Sequence, residues 1–375
     1  MRMLRLMAVA DAYAVSFEYA PTEFVVAHHQ LSDYVKHHKH NLLPGHYSDD
    51  TQMSIAVAEV ICARVGLDPL HFAEAFVRCF KRDPREGYAK GFYKFLCEVQ
   101  DGAEFLDKIK SDSDKSGGAM RALPCGIFPN IDEVVLFASA QACITHGTEN
   151  GVNAAIAAAL MSHYFIYDLG PKEALGEFIA KHVPGSTDWS KPWTGPVGQK
   201  GVMSVHAAIT AIVQASSLKD LLDRCVRFTG DVDTVAALAL GAAGQCKELP
   251  FDLPSWLFKN LEKGPYGYKF LARLDASLAA TQAKLVQDAA APARPSAEDS
   301  SSTGSRIVAI PMIAMWTGAT ESVDYLEIPR SMDLDAEEKA WFAQGGDSGG
   351  ITFVQYLVAR GAKPVNVETW HIRYQ

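Results

Sequence analysis

Two short acidic motifs carry the residues best suited to metal chemistry. The first is Ser48-Asp49-Asp50-Thr51, and the second is Gly230-Asp231-Val232-Asp233-Thr234. Adjacent carboxylates and hydroxyls offer several hard oxygen ligands, which suit Mg²⁺ or Mn²⁺ better than zinc. Each motif also precedes an apolar helical segment, where an acidic side chain can simply cap the helix. Either motif alone is compatible with a cap, whereas the two together predict a site for a pair of metal ions.

A third motif is a Gly-Gly turn that could bind phosphate, in the segment Asp114-Lys115-Ser116-Gly117-Gly118-Ala119-Met120-Arg121-Ala122-Leu123-Pro124. Glycine lacks a Cβ, so its backbone can approach phosphate oxygens closely. Arg121 could add a positive charge to this loop, or it could be an ordinary solvated arginine. Alone, this motif indicates phosphate binding only weakly.

These motifs must be positioned by helices, because residues 1–285 carry apolar side chains mainly at helical spacing. The pattern predicts helices over 52–65, 69–80, 85–98, 133–145, 151–166, 203–216 and 232–245. The segments 151–166 and 232–245 are apolar nearly all round, which is typical of helices in the middle of a bundle. The sequence therefore predicts an all-α domain over residues 1–287.

The composition changes after this domain. Residues 288–305 are rich in alanine, proline and serine and have no large apolar side chain, which predicts a flexible linker. Residues 306–375 contain strand-like segments at 306–316, 325–328 and 365–374 and helical segments at 335–343 and 352–359. We therefore expect a small C-terminal α+β module whose role the sequence does not reveal.

Composition narrows the class of protein further. The formal net charge is −9, which argues against a general nucleic-acid binder. Seven widely spaced cysteines, none in a CxxC pair, favour reduced thiols and a cytoplasmic location. No uninterrupted apolar run is long enough for a membrane span, so we expect no membrane association.

In this order, the motifs resemble those of the ADP-ribosylglycohydrolase family, over roughly residues 5–280. The family's opening Gly-Asp-Ala-x-Gly run corresponds to Ala10–Ala14, and Glu18 follows Asp11 by the family's interval of seven residues. The further family motifs correspond to Ser48–Thr51, Gly117–Arg121, Thr145-His146 and Gly230–Thr234. The resemblance implies a helical core of that family's type, to which the α+β module is appended.

The resemblance also implies roles for these residues. One Mg²⁺, with Mn²⁺ as an alternative, would be held by Ser48, Asp49, Asp50 and Asp233. A second would be held by Asp231, Asp233 and Thr234, with Asp233 bridging. Catalysis would depend on Glu18, Asp49, Asp50 and Asp233, with Glu18 as general base or gate for the attacking water. The substrate would be bound by Ser116, Gly117, Gly118, Met120, Arg121 and His146.

The implied function is metal-dependent hydrolysis of the glycosidic bond between ADP-ribose and a protein side chain. Arginine linkages are the first expectation, because bacterial relatives mostly act there, and serine or other O-linkages are the second. The partner would be an ADP-ribosylated protein. An alternative is an immunity protein that neutralises an ADP-ribosylating toxin by removing the modification or by occluding the toxin.

Overall fold

The computed structural model describes residues 1–37, 41–183, 185, 187–290, 305–313, 320–329, 357, 360 and 363–364. The chain divides into two units, Met1–Ala290 and Ala291–Gln375. The first unit holds every residue that the sequence singled out for chemistry.

The described part of the first unit is helical. Its α-helices are α1 (Met3–Ala14), α2 (Thr22–His28), α3 (Asp49–Ala63), α4 (Pro69–Arg82), α5 (Lys90–Glu98), α6 (Gly102–Lys108), α7 (Gly117–Met120), α8 (Ile131–Cys143), α9 (Glu149–Ile166), α10 (Leu175–His182), α11 (Gly201–Gln214), α12 (Leu218–Arg227), α13 (Val232–Ala243), α14 (Ser255–Asn260) and α15 (Tyr268–Ala290). Short 3-10 segments lie at Val15–Phe17, Leu123–Ile127 and Lys172–Ala174.

Helix α13 lies at the centre of this unit. It packs against α1, α9, α11 and α12, and every one of its residues is buried. Apart from Asp233, its side chains are apolar or small, so it can be enclosed without leaving charges away from water. Helix α9 is buried along most of its length for the same reason. These two buried helices pack against each other and support the acidic motif at the N-terminal end of α13.

The predicted all-α core is confirmed, and the seven predicted helices correspond to α3, α4, α5, α8, α9, α11 and α13. Several further helices were not predicted. Helix α1 is buried on almost all sides, so its sequence lacks an amphipathic pattern. Helix α12 is strongly amphipathic, and its N-cap residue is Ser217, whose hydroxyl oxygen accepts a hydrogen bond from the Asp220 N–H. That capping signal was present in the sequence.

In the second unit, the described residues include three strands, β1 (Ser305–Ile313), β2 (Thr320–Pro329) and β3 (Lys363–Pro364). They form an antiparallel sheet in the order β1-β2-β3, and Ser305 is paired with Pro329 at one end of the hairpin. The predicted strand over 306–316 corresponds to β1 up to residue 313, and residues 314–316 lie outside the described residues. The predicted strand over 325–328 lies within β2. The predicted helices over 335–343 and 352–359, except Leu357, and the predicted strand over 365–374 lie outside the described residues. Helix α15 continues to Ala290, so the first residues of the predicted linker are helical.

The seven cysteines are all free thiols. Among the described residues, we find no helix with the length and apolar character needed to cross a membrane.

Candidate active site

The first acidic motif lies at the N-terminal end of α3. Ser48 is the N-cap residue, and its hydroxyl oxygen accepts a hydrogen bond from the Asp50 N–H at 3.3 Å. The Ser48 hydroxyl also lies 3.4 Å from the Asp50 Oδ2 atom. A serine cap satisfies one of the free N–H groups of the first helical turn. The Asp50 N–H is therefore capped by the Ser48 hydroxyl and not by a carboxylate of the motif.

A buried carboxylate from α1 anchors this motif. Both Asp11 oxygens lie 3.0 Å from the Ser48 N–H nitrogen, and the Oδ2 atom also accepts hydrogen bonds from the Thr51 N–H and hydroxyl, at 3.1 and 2.6 Å. Burial raises the pKa of Asp11 to about 6, although the hydrogen bonds from Thr51 and Ser48 lower it. Asp11 thus fixes the backbone at the start of α3 from a second helix.

The loop before α5 supports Asp49 from the other side. Gly87 has a φ of +116°, and a Cβ atom there would lie 2.2 Å from the Asp49 Oδ1 atom. Arg85 holds this loop, since its guanidinium donates hydrogen bonds to Asp83, to both Glu262 oxygens and to the Tyr47 carbonyl. Only glycine fits here, because any larger residue would displace the carboxylate and strain the backbone.

The second acidic motif is positioned by a tight turn before α13. Thr229 and Gly230 both have positive φ angles, of 62° and 87°. A Cβ atom on Gly230 would lie 1.9 Å from the Val197 carbonyl oxygen. That carbonyl accepts a hydrogen bond from the Asp231 N–H at 3.0 Å. The glycine is therefore required by the close approach of the Val197 segment, which sets the position of Asp231.

Glu18 is attached to the same turn. The N–H of the next residue, Tyr19, donates a 2.8 Å hydrogen bond to the Gly230 carbonyl. One carboxylate oxygen from each of Glu18, Asp231 and Asp233 can be chosen so that all three lie within 4.8 Å of one another. Glu18 is therefore in one acidic group with Asp231, which lies 213 positions later in the chain. Asp49 and Asp50 belong to the same group, because repulsion from the Asp231 carboxylate contributes to the raised pKa of each.

The charges in this group are unfavourable in the absence of a cation. Burial, reinforced by repulsion from neighbouring carboxylates, raises the pKa values of Asp49, Asp50 and Asp233 well above the usual range. Burial also raises the pKa of Asp231, against hydrogen bonds from Ser204 and other neighbours that lower it. A bound cation would remove both penalties, because it supplies the missing positive charge at the site.

The oxygen atoms that the protein leaves unsatisfied fit a hard metal ion. Among the residues that the structure describes, Asp50 Oδ1 and Asp233 Oδ1 are buried without any hydrogen-bond partner. By contrast, Asp231 Oδ2 accepts a 2.9 Å hydrogen bond from Ser204, and Asp231 Oδ1 lies 3.3 Å from the Thr234 hydroxyl. A buried carboxylate oxygen without a donor is costly. The all-oxygen donor set is the type that Mg²⁺ and Mn²⁺ prefer.

The glycine motif lies beside the acidic group. The Ser116 N–H donates to the Gln199 carbonyl at 3.0 Å, and the Ser116 hydroxyl is one of the groups that lower the pKa of Asp231. A Cβ atom on Gly117 would lie 2.9 Å from the His146 Cε1 atom, and one on Gly118 would lie 3.1 Å from the His146 Cβ atom. The two glycines thus allow the backbone to lie directly against the His146 ring.

Two of the residues that we predicted to bind substrate are buried. Met120 is buried. Arg121 is 1% exposed, and its guanidinium donates to the Gln141 Oε1 atom at 2.6 Å and to the Thr145 hydroxyl at 2.7 Å. It also lies 4.3 Å from the centre of the Phe76 ring. The Nε and Nη2 atoms of Arg121, which we predicted to contact substrate, are thus directed at the protein. Burial lowers the pKa of Arg121 to about 9.

His146 completes this side of the site. Its Nδ1 atom lies 2.6 Å from the Thr145 hydroxyl oxygen. Burial, together with the charges of Arg121 and Lys115, lowers the pKa of His146 to about 3, so the ring is neutral.

Two residues that support the site could not be predicted as site components from the sequence. Asp11 is a position of the family motif, but nothing in the sequence indicates that its carboxylate reaches Ser48. Gly87 lies in an ordinary turn sequence, Pro84-Arg85-Glu86-Gly87. Its contact with Asp49 depends on the packing of two distant segments, which no local pattern encodes.

Comparison with known proteins identifies the family to which this chain belongs. Residues 2–286 match the family model described as ADP-ribosylglycohydrolase, so the chain belongs to the ADP-ribosylglycohydrolase family. The resemblance recognised from the motifs is thereby confirmed.

Three curated relatives illustrate the similarity. The mouse protein "ADP-ribosylhydrolase ARH3" is 31% identical over 37% of this chain and 40% of its own length. The Rhodospirillum rubrum protein "ADP-ribosyl-[dinitrogen reductase] glycohydrolase" is 28% identical over 68% of this chain and 87% of its own. The Pseudomonas putida protein "ADP-ribosylarginine hydrolase Tri1" is 20% identical, over 68% and 71% respectively. The match to the mouse protein thus covers less than half of either chain.

A solved structure, titled "ADP-ribosylglycohydrolase-related protein complex", has a TM-score of 0.56 and 20% sequence identity. The similarity covers 75% of this chain and 96% of the other. At this level of identity, it supports the helical fold alone.

Proposed function

We propose that this protein is a metal-dependent hydrolase that cleaves the glycosidic bond between ADP-ribose and a modified protein side chain. The observation that carries the proposal is the acidic group around Asp233, which contains two buried oxygens that have no hydrogen-bond partner among the described residues. Family membership supports the reaction type.

Two Mg²⁺ ions, or Mn²⁺ in their place, are the cofactors that we propose. Ser48, Asp49, Asp50 and Asp233 would hold one, and Asp231, Asp233 and Thr234 the other. When bound, such ions would orient the ribose hydroxyl groups and activate a water for attack. The meeting of Glu18 with Asp231 and Asp233 makes it a further candidate ligand, besides its proposed role as general base or gate.

The protein's own groups would bind and orient the rest of ADP-ribose. The backbone of Ser116, Gly117 and Gly118 would bind the diphosphate, because the two glycines lack a Cβ atom and the loop lies directly against His146. Glu18 is half-buried beside the acidic group, where its carboxylate can accept a proton from an attacking water. Met120 supports the loop from the interior.

Arginine is the linkage that we place first, and serine or another O-linkage second. The relative whose name specifies arginine aligns with 68% of this chain. The protein partner would be an ADP-ribosylated substrate, in a cytoplasmic setting consistent with seven free thiols. No contact among the described residues, and none of the relatives named above, points to a toxin as partner.

The test is to incubate the full chain with ADP-ribosyl-arginine and ADP-ribosyl-serine peptides in Mg²⁺ and to follow release of ADP-ribose by mass spectrometry. We expect release from the arginine peptide to be faster. Release only from the serine peptide would overturn the choice of linkage. No release from either, by folded protein with Mg²⁺ or Mn²⁺, would overturn the proposed function.

A further inference from the structure

Arg121 and Thr145 lie behind His146 in a buried chain of hydrogen bonds. The Arg121 guanidinium donates to the Thr145 hydroxyl oxygen at 2.7 Å, and that oxygen lies 2.6 Å from His146 Nδ1. Arg121 and Thr145 are 1% and 4% exposed, so solvent does not compete for these bonds. The guanidinium donates further to the Oε1 atom and the carbonyl of Gln141, which fixes it in the interior.

The chemistry of these groups gives the chain a direction. An arginine can only donate hydrogen bonds, so the Thr145 oxygen must accept from it. The Thr145 O–H then needs an acceptor, and among the described residues the one bonded to it is His146 Nδ1. A hydroxyl that accepts from a cation is also a better donor. Nδ1 is therefore an acceptor, and a neutral ring must carry its proton on Nε2.

The ring has little freedom to turn out of this arrangement. The backbones of Gly117 and Gly118 lie against one side of it, and its own backbone pairs with Asp112. Within the described part of the chain, Nε2 has no hydrogen-bond partner. The protein's own groups thus bond to Nδ1, and the Nε2–H beside the glycine loop is left available for a ligand.

We infer that Arg121 is a positioning residue which, through Thr145, holds His146 as a neutral imidazole whose Nε2–H donates to an anionic oxygen of the ligand. In keeping with the proposed function, that oxygen would belong to the diphosphate of ADP-ribose. His146 then serves as a fixed hydrogen-bond donor and not as a general acid or base. Arg121 acts at a distance, although the sequence placed it in contact with substrate.

The test combines a spectroscopic signature with ligand binding. Full-length protein carrying ¹⁵N-labelled histidine is studied by long-range ¹H–¹⁵N correlation, with His146→Gln used to assign the signal among the twelve histidines. We expect the shift of a protonated nitrogen at Nε2 and of a hydrogen-bonded acceptor at Nδ1, unchanged from pH 5.5 to 8. A proton on Nδ1, or a doubly protonated ring within that range, would overturn the inference.

Two variants test the positioning role. Thr145→Val keeps the side-chain volume but removes the hydroxyl, and we expect the acceptor signature at Nδ1 to be lost. Binding of ADP-ribose, measured by calorimetry, should weaken about tenfold, since one oriented hydrogen bond to a charged group is lost. Thr145→Ser should restore both. Thr281→Val, at a buried threonine of α15, is the matched control and should leave both unchanged.

An unchanged signature and an affinity within twofold of the parent in Thr145→Val would contradict the positioning role. If Thr145→Val does not fold, Arg121→Met and the parent spectrum still decide. Without the guanidinium, the Thr145 oxygen is free to accept from Nδ1–H, so the inference predicts that the proton of the neutral ring is no longer fixed on Nε2. These readouts need no turnover, so they remain valid even if neither peptide is hydrolysed and the proposed function fails.

Discussion

Asp11 and Asp233 are both buried carboxylates of the helical unit, but their hydrogen bonding differs. The Asp11 oxygens accept hydrogen bonds from Ser48 and Thr51, whereas Asp233 Oδ1 is buried without a partner among the described residues. A satisfied carboxylate holds structure together, and an unsatisfied one stores an unfavourable free energy that a ligand can release. The contrast separates the support of the site from the site itself.

The largest expected effect is at the unsatisfied group. Asp50→Ala removes one of the two carboxylate oxygens that have no partner among the described residues. Loss of a residue that only orients a metal ligand lowers activity about 10- to 100-fold, and we expect a larger fall in the rate of hydrolysis here. In EDTA, its melting temperature should be no lower than that of the parent, because a buried repulsive charge is gone. Peptide turnover and thermal unfolding check this. Loss of stability without loss of activity would assign Asp50 to the support instead.

A smaller effect is expected in the support. Asp11→Asn leaves the Ser48 and Thr51 donors facing an amide, so we expect about 1–3 kcal/mol less free energy of unfolding and about 10-fold weaker Mn²⁺ binding. Chemical denaturation and calorimetry measure the two quantities. Full stability combined with lost metal binding would show that Asp11 is itself a metal ligand. The distinction between Asp11 as support and Asp233 as ligand would then be wrong.

Gly87 offers a gentler test of the same support. Gly87→Ala should weaken Mn²⁺ binding about tenfold at most, because the added methyl would meet Asp49 Oδ1 and the backbone has a positive φ. Gly91→Ala is the matched control, since a Cβ atom there meets nothing within 4 Å. Equal Mn²⁺ affinity in both variants would mean that the loop does not fix Asp49.

The smallest effect is a dependence of stability on pH. The folded pKa values of Asp50 and Asp233 are raised, so the folded state retains protons that the unfolded state releases above about pH 4. In EDTA, the free energy of unfolding should therefore fall as pH rises from 5 to 8. Asp233→Asn should reduce that slope, and the exposed Asp132→Asn should not. Denaturation at several pH values would reveal an equal slope in all three proteins if the prediction is wrong.

The residues of the acidic group could be predicted from the sequence better than the residues that support them. The apolar runs of α9 and α13 and the acidic residues at helix starts are local features, so the helical core and the residues of the acidic group could be predicted. The support could not, because Asp11 reaches Ser48, and Gly87 reaches Asp49, only after distant segments pack. Arg121 shows the same limit, since no local pattern distinguishes a solvated arginine from one buried against Gln141 and Phe76.

Hydrolysis of the ADP-ribosyl-arginine peptide by the parent and by Asp233→Ala, each in Mg²⁺ and in EDTA, tests the central claim most directly. We expect turnover by the parent in Mg²⁺, little by the parent in EDTA, and little by Asp233→Ala in either condition. Full activity of Asp233→Ala in EDTA would contradict a metal-dependent site built on this carboxylate.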